Sequence, residues 1–200
     1  MRLWLKNPLA ILAEDAAGGI VVDGDRIAEL VPRGAAPAGS NAPPRLVRLE
    51  GVSKTFANGT VALSGVDLEV RRGEFLSLLG PSGCGKSTIL RLLADLTGPT
   101  SGWINWGEKE HELGFVFQEP TLAPWSNVFD NVWLPLRLKG QSRREAEPAI
   151  MDALNKVGLG GFAKAYPREL SGGMKMRVSI ARALVLRPAV LLMDEPFAAL

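Results

Sequence analysis

Cysteine, histidine and tyrosine occur once each in 200 residues. A single cysteine excludes an internal disulfide framework and fits a reducing compartment. Long apolar runs are also missing, since none approaches the roughly 18 residues of a membrane span. Near the N-terminus, Lys6, Asn7 and Pro8 interrupt any signal-type stretch after Arg2, and Glu14 and Asp15 close it. Charge of one sign is scarce too, with a formal net charge of +2. That balance argues against nucleic acid or an anionic membrane surface as the main partner. Work at a membrane would require docking onto another subunit.

The chain, 46% hydrophobic, is long enough for one substantial core and a small appendage. Residues 33–44 are rich in Pro, Gly, Ala and Ser without an apolar period, and read as a linker. Ahead of it, residues 19–31 read as strand, Asp23-Gly24 turn and strand, a β-hairpin that needs something further to lean on. After it, residues 45–50 and 66–70 alternate like half-buried strands of an antiparallel layer. Residues 75–79 form a nearly continuous apolar run, expected as a strand buried on both faces. Ile89, Leu90, Leu92, Leu93 and Leu96 recur at helical spacing. Ser142 with Glu145 makes a capping box for a helix whose apolar face is Ile150, Met151, Leu154 and Val157. Gly172 and Gly173 precede a third helix, with Val178, Ala181, Leu184 and Val185 on one face and Pro188 stopping it. Residues 189–193 repeat the buried-strand pattern. This alternation predicts an α/β fold around a mainly parallel sheet.

Gly80-Pro81-Ser82-Gly83-Cys84-Gly85-Lys86-Ser87 fits the phosphate-loop pattern G-x-x-x-x-G-K-[ST], between an expected strand and an expected helix. Glycines let the backbone curl so that successive N–H groups point at phosphate oxygens, and the helix N-terminus adds partial positive charge. Lys86 is placed to reach the β- and γ-phosphates, the Ser87 hydroxyl suits Mg²⁺, and Thr88 completes the binding set. Cys84 reads as a small space-filling residue. The apolar run ending in Asp194-Glu195 puts two carboxylates at the C-terminal edge of a sheet, where open α/β sheets bind ligands. Asp194 is expected to hold Mg²⁺, directly or through water, and Glu195 to polarise the attacking water. A strand running into an acidic turn before Pro196 is the plainer alternative. Paired with the phosphate loop, the carboxylates predict hydrolysis of ATP or GTP.

Leu170-Ser171-Gly172-Gly173-Met174 resembles the signature of ABC transporter ATPases, commonly LSGGQ, with Met174 where glutamine is usual. Ser171 and the glycines expose helix-start N–H groups to an anion. The resemblance, from about residue 45 to residue 200, implies that this anion is the γ-phosphate of ATP held by the opposite subunit. It implies a P-loop NTPase (RecA-like) parallel sheet, an antiparallel β layer and a helical subdomain at about 119–172, with ATP and Mg²⁺ as cofactors. Gln118, in Phe115-Val116-Phe117-Gln118-Glu119-Pro120, matches the family's glutamine loop, which touches Mg²⁺ and the membrane subunit. Lys86, Gln118 and Glu195 then stand as catalytic, and Ser87, Gln118 and Asp194 as the metal set. Phe56 stands where the family stacks an aromatic residue on adenine, with core packing as the alternative.

Residues 121–132 look like importer ATPases of the nitrate, sulfonate and taurine group. Trp125, Phe129 and Trp133 either present aromatic surface to a membrane subunit or form the core of the helical subdomain. The partners implied are a second ATPase subunit in a homodimer, transmembrane permease subunits and, indirectly, a periplasmic solute-binding protein, with no nucleic acid. The implied location is the cytoplasmic face of the inner membrane. The sequence stops before the family's aspartate loop and later histidine, and its one histidine, His111, reads as a solvated loop residue. A C-terminally incomplete domain is therefore expected, with weak stability and little or no turnover. The alternatives are a nucleotide-binding module without turnover and a soluble non-transport ABC ATPase; the short span from Gln118 to Leu170 argues against the latter. Residues 1–32 resemble the first β-layer of amidohydrolase-type guanine/8-oxoguanine deaminases, without their metal-binding His-x-His.

Overall fold

A computed structural model describes residues 2–5, 19–23, 26–31, 45–107 and 112–196. The expected linker at 33–44 and the loop residue His111 lie outside the described residues. The chain divides into two compact units, Met1–Lys109 and Glu110–Leu200.

In the first unit, β1 (Arg2–Leu5), β2 (Gly19–Asp23) and β3 (Arg26–Val31) form an antiparallel sheet in that order. The expected hairpin is β2–β3. Strand β1, paired with β2 from Arg2↔Asp23 to Leu5↔Ile20, supplies the third strand that a lone hairpin needs.

A second antiparallel sheet has the order β5-β4-β6, from β4 (Arg45–Thr55), β5 (Val61–Arg71) and β6 (Ser101–Trp106). The alternation at 45–50 buries Val47 and Leu49, and both long strands run beyond the stretches that alternate. Between Leu49 and Val52 the pairing shifts by a bulge, so the buried face resumes at Val52. The Gly51 N–H in that bulge donates to Asp67 Oδ1 at 2.7 Å.

Residues 75–79 depart from expectation. They form no strand beyond a single bridge at Phe75, and Phe75 and Leu79 are exposed. A strand buried on both faces needs parallel neighbours covered by helices, whereas the described sheets of this unit are antiparallel. Helix α1 (Lys86–Leu93) follows, burying Leu92 and Leu93, while Leu96 lies beyond its end and is exposed.

In the second unit, β7 (Leu113–Val116) pairs in parallel with β8 (Val190–Met193), with Phe115 opposite Leu192. Between them in sequence come α2 (Val128–Leu138), α3 (Arg143–Lys156) and α4 (Gly172–Leu184). The capping box of α3 forms as expected. Glu145 N–H donates to Ser142 Oγ at 3.4 Å, and Ser142 N–H to Glu145 Oε2 at 2.9 Å.

Val128, Val132, Ile150, Leu154 and Val178 are fully buried in one core shared by the three helices. Burial of such a side chain contributes roughly 1.5–3 kcal/mol each. Helix α4 is apolar on two sides. Val178, Ala181 and Val185 belong to the helical core, while Met176 and Ala183 pack with Val116 of β7. The helical face read from sequence captures only the first side. No helix among the described residues is long and apolar enough to cross a membrane.

Candidate functional site

The loop at 80–85 curls on its own backbone, with the Cys84 N–H donating to Pro81 O at 3.3 Å. Gly85 precedes α1 in the left-handed region at φ +99°, and Gly83 stands at φ +80°. A Cβ on Gly85 would lie 2.7 Å from Ala62 O and 2.6 Å from Leu63 Cδ2, so β5 presses directly on the loop. A Cβ on Gly80 would meet Cys84 Sγ at 2.6 Å, so the thiol closes the space beside Gly80 although Cys84 itself is exposed. The first turn of α1, which includes Lys86, Ser87 and Thr88, has neither an acidic residue nor a side-chain cap. No acidic side chain therefore opposes an anion at this end, where the helix dipole adds partial positive charge. Lys86 Nζ donates to Gly80 O at 2.9 Å and Pro81 O at 3.0 Å, which holds the ammonium over the same curl. Pro81, Ser82 and Gly83 are exposed along it.

Phe56 sits in the turn between β4 and β5, its N–H donating to Thr60 O at 2.9 Å. It is 39% exposed, which sets aside the core-packing alternative and leaves ring surface for a stacking partner. Lys54 Nζ, 5.6 Å from the ring centroid, donates to Gly98 O at 2.6 Å.

In the second unit, Asp194 continues beyond β8, with its N–H donating to Val116 O at 2.9 Å and only 4% of the residue exposed. Glu195 follows at φ +47°, a conformation costing a non-glycine residue on the order of 1 kcal/mol or more. Gln118, two residues past β7, donates from Nε2 to Glu195 Oε2 at 3.3 Å. Parallel pairing thus brings Gln118, Asp194 and Glu195 to one edge, the C-terminal ends of both strands. Ser171 caps α4, its Oγ accepting from the Met174 N–H at 3.3 Å, and Gly172 and Gly173 open the helix. Met174, in the usual glutamine position, packs against the helical core.

The three aromatics differ in burial. Phe129 is core, Trp133 is half-buried against the core with Nε1 donating to Gln141 O at 3.2 Å, and Trp125 is 81% exposed. Two further residues carry roles that the sequence did not assign. Asn131, 1% exposed, closes the loop carrying Trp125. Its Oδ1 accepts from the Ala123 N–H at 2.8 Å, and its Nδ2 donates to Ala123 O, Ser126 O and Asn127 O. Arg182, near the end of α4, grips the backbone that follows Gln118. Both act on residues distant in sequence, or through main-chain atoms, so residue type at fixed spacing does not reveal them.

Mg²⁺ takes hard oxygen ligands, few of them from protein, together with phosphate oxygens and water. The Ser87 hydroxyl, the Gln118 amide and the Asp194 carboxylate are all donors of that kind. Each is chemically suited to the ion; Ser87 lies in the first unit and Gln118 and Asp194 in the second.

A glycine curl opening an uncapped helix is phosphate-binding architecture, and it places the chain among the P-loop nucleotide-binding proteins. Residues 63–198 match the ABC transporter family, and the chain belongs to it. Its fold is that of the ABC ATPase cassettes. It is 50% identical to the nitrate import ATP-binding protein NrtD of Synechocystis sp., over 70% of this chain and 54% of that protein. It is 43% identical to the spermidine/putrescine import ATP-binding protein PotA of Mesoplasma florum, over 78% of this chain and 46% of that protein. Among solved structures, the dimeric post-hydrolysis state of the ATP-binding cassette MJ0796 bound to ADP and Pi superposes with a TM-score of 0.68 at 35% identity. That likeness covers 78% of this chain and 76% of the other. The chain spans about half the length of these two curated relatives. The deaminase-like reading of residues 1–32 gains no support from these relatives.

Proposed function

We propose that the chain is the ATP-binding and hydrolysing part of an ABC importer, acting as one of two such domains beneath transmembrane permease subunits. The observation that carries this reading is the curl at 80–85, shaped by left-handed glycines and leading into an uncapped helix. Its N–H groups and Lys86 take the β- and γ-phosphates, and Phe56 stacks on the base. Ser87, Gln118 and Asp194 hold Mg²⁺, which when bound neutralises developing phosphate charge. Glu195 orients and polarises the attacking water. Ser171, Gly172 and Gly173 of each copy meet the ATP held by the other, so closure and hydrolysis alternate and drive the permease. A periplasmic solute-binding protein acts through the permease rather than on this chain.

In domain terms, residues 1–32 are a hairpin segment, 33–44 a linker and 45–200 the cassette, with a helical subdomain at about 119–172. The solute class is small anions of the nitrate, sulfonate and taurine kind. Residues 121–132 and the higher identity to the nitrate import protein support that choice over polyamines. Its location is the cytoplasmic face of the inner membrane, peripheral through the permease. The test is Lys86→Ala in the full chain, followed by Mg-ATP titration and steady-state turnover. Loss of affinity and turnover is expected; nucleotide affinity and turnover that survive unchanged overturn the assignment. Binding by the unaltered chain without hydrolysis would leave a nucleotide-binding module and remove the enzymatic part.

A further inference from the structure

Arg182 reaches from α4 to the loop that follows Gln118. Its guanidinium donates to Pro120 O at 3.0 Å, Thr121 O at 3.0 Å and Thr121 Oγ1 at 3.1 Å, and to Ser179 Oγ on its own helix at 3.4 Å. All four acceptors are neutral oxygens. Burial lowers the guanidinium pKa from its ordinary value, as expected when a charge is taken partly out of water. No carboxylate among these contacts offsets that cost, so general stability is a poor explanation for a charge in this place. A planar fork fixes position and orientation together, which a lysine ammonium does not. The residue gripped is itself unusual, because Thr121 stands at φ +44°, a conformation that β-branched residues rarely adopt. Pro120 lies two residues beyond Gln118, whose amide donates to Glu195. The helix rises about 16 Å between Ser171 and Arg182. One stiff element therefore has the Ser171 cap at one end and the Gln118 loop strapped near the other.

We propose that Arg182 is a positioning residue for Gln118, tying its loop to α4 so that displacement at the Ser171 end reaches the Gln118–Glu195 pair. The proposal rests on the proposed function in one respect: the partner's ATP supplies the displacement. The fork sets where the Gln118 backbone sits, and the 3.3 Å bond to Glu195 depends on that setting.

The test compares the full chain with Arg182→Met, Arg182→Lys, Gln118→Ala and the Arg182→Met/Gln118→Ala double variant. Amide hydrogen exchange across residues 118–123, ATP affinity and steady-state kinetics are measured on each. In Arg182→Met, exchange across 118–123 is expected to rise about tenfold while exchange in α2 and α3 is unchanged. ATP affinity is expected to stay within about twofold, and kcat to fall about a hundredfold. Arg182→Lys is expected to recover part of the protection, and the double variant to fall no further than the worse single one. Unchanged exchange in both Arg182 variants overturns the proposal. So does a double variant whose losses multiply, because independent losses mean that Arg182 does not act through Gln118. A merely structural arginine would loosen α2 and α3 as well and lower affinity together with turnover, and that pattern also overturns it. If the Met variant fails to fold, exchange in the Lys variant decides. If the unaltered chain binds ATP without turning it over, the functional proposal fails while exchange still decides the role of Arg182.

Discussion

Gly85→Ala separates two ways in which the phosphate curl is specified, by backbone conformation and by the strand packed against it. Gly85 and Gly83 both stand at positive φ, +99° and +80°. A side chain in that region costs about 1–2 kcal/mol. At Gly83 an added Cβ meets nothing within 4 Å, so Gly83→Ala isolates the conformational cost. At Gly85 the Cβ would also stand 2.7 Å from Ala62 O and 2.6 Å from Leu63 Cδ2. Leu63 is buried and Ala62 O is backbone of β5, so neither yields cheaply. Overpacking of this kind adds about 1–3 kcal/mol. The sum is about 2–5 kcal/mol for Gly85→Ala against about 1–2 kcal/mol for Gly83→Ala. Opening the curl relieves the strain without unfolding the sheet, so the cost should appear mainly in nucleotide affinity. That corresponds to a loss of about thirtyfold or more for Gly85→Ala and about tenfold for Gly83→Ala. Titration with a fluorescent ATP analogue, beside urea melts of both variants, reads the difference. Equal affinities and equal melts in the two variants would refute the idea that β5 shapes the loop.

Four further outcomes are expected. Asn131→Ala leaves the backbone groups of Ala123, Ser126 and Asn127 without their buried partner, and should lower stability by about 2–4 kcal/mol in urea unfolding. Glu145 is held below its ordinary value of 4.5 by the Ser142 hydroxyl first and the Ser142 N–H second. The unfolded chain therefore binds that proton more readily, so the stabilisation is present above pH 4.5 and lost as pH falls through the lower folded value. The gap between the acid-unfolding curves of Ser142→Ala and the parent chain should narrow as pH falls through that window, leaving the pH-independent part of the cap. Glu195→Gln should retain ATP affinity and lose about a hundredfold or more in turnover, checked by single-turnover phosphate release. Ser171→Ala removes a cap worth about 1 kcal/mol; a loss of turnover larger than the loss in thermal stability would mark the hydroxyl as a ligand as well.

What the sequence revealed was chemistry that is local. Ser142 and Glu145 are three apart and cap each other whatever the rest of the chain does. The glycine curl is likewise written in consecutive residues. Residues 75–79 show the limit, because an apolar run specifies that a segment wants burial but not which neighbours provide it. The bulge at Gly51 was hidden for a related reason. Alternation up to Glu50 is readable, but resumption at Val52 depends on pairing with β5. Phe56 looked equally suited to core or surface until the turn from Phe56 to Thr60 placed it. Arg182 and Thr121 are separated by 61 residues, and the bonds to Pro120 O and Thr121 O involve main-chain oxygens. No residue type at either position announces such a contact.

Under the proposed function, two helix starts meet phosphate, and they differ in capping. Helix α1 begins from Gly85, which has no side chain to compete for the donors of its first turn. Those donors are fixed by the helix and the curl, and ordering them on binding costs little conformational entropy. Lys86 adds a point charge already held over the curl by Gly80 O and Pro81 O. Helix α4 begins from Ser171, whose oxygen already accepts from the Met174 N–H. One donor of that turn is thereby taken, and the Ser171 hydroxyl hydrogen becomes what the cap offers outward. The first start suits an anion held by one chain alone. The second offers a smaller donor set, too weak to retain phosphate without another surface presenting it. That order of strength is what an importer ATPase requires: nucleotide is bound first, and contact across the pair follows only on closure.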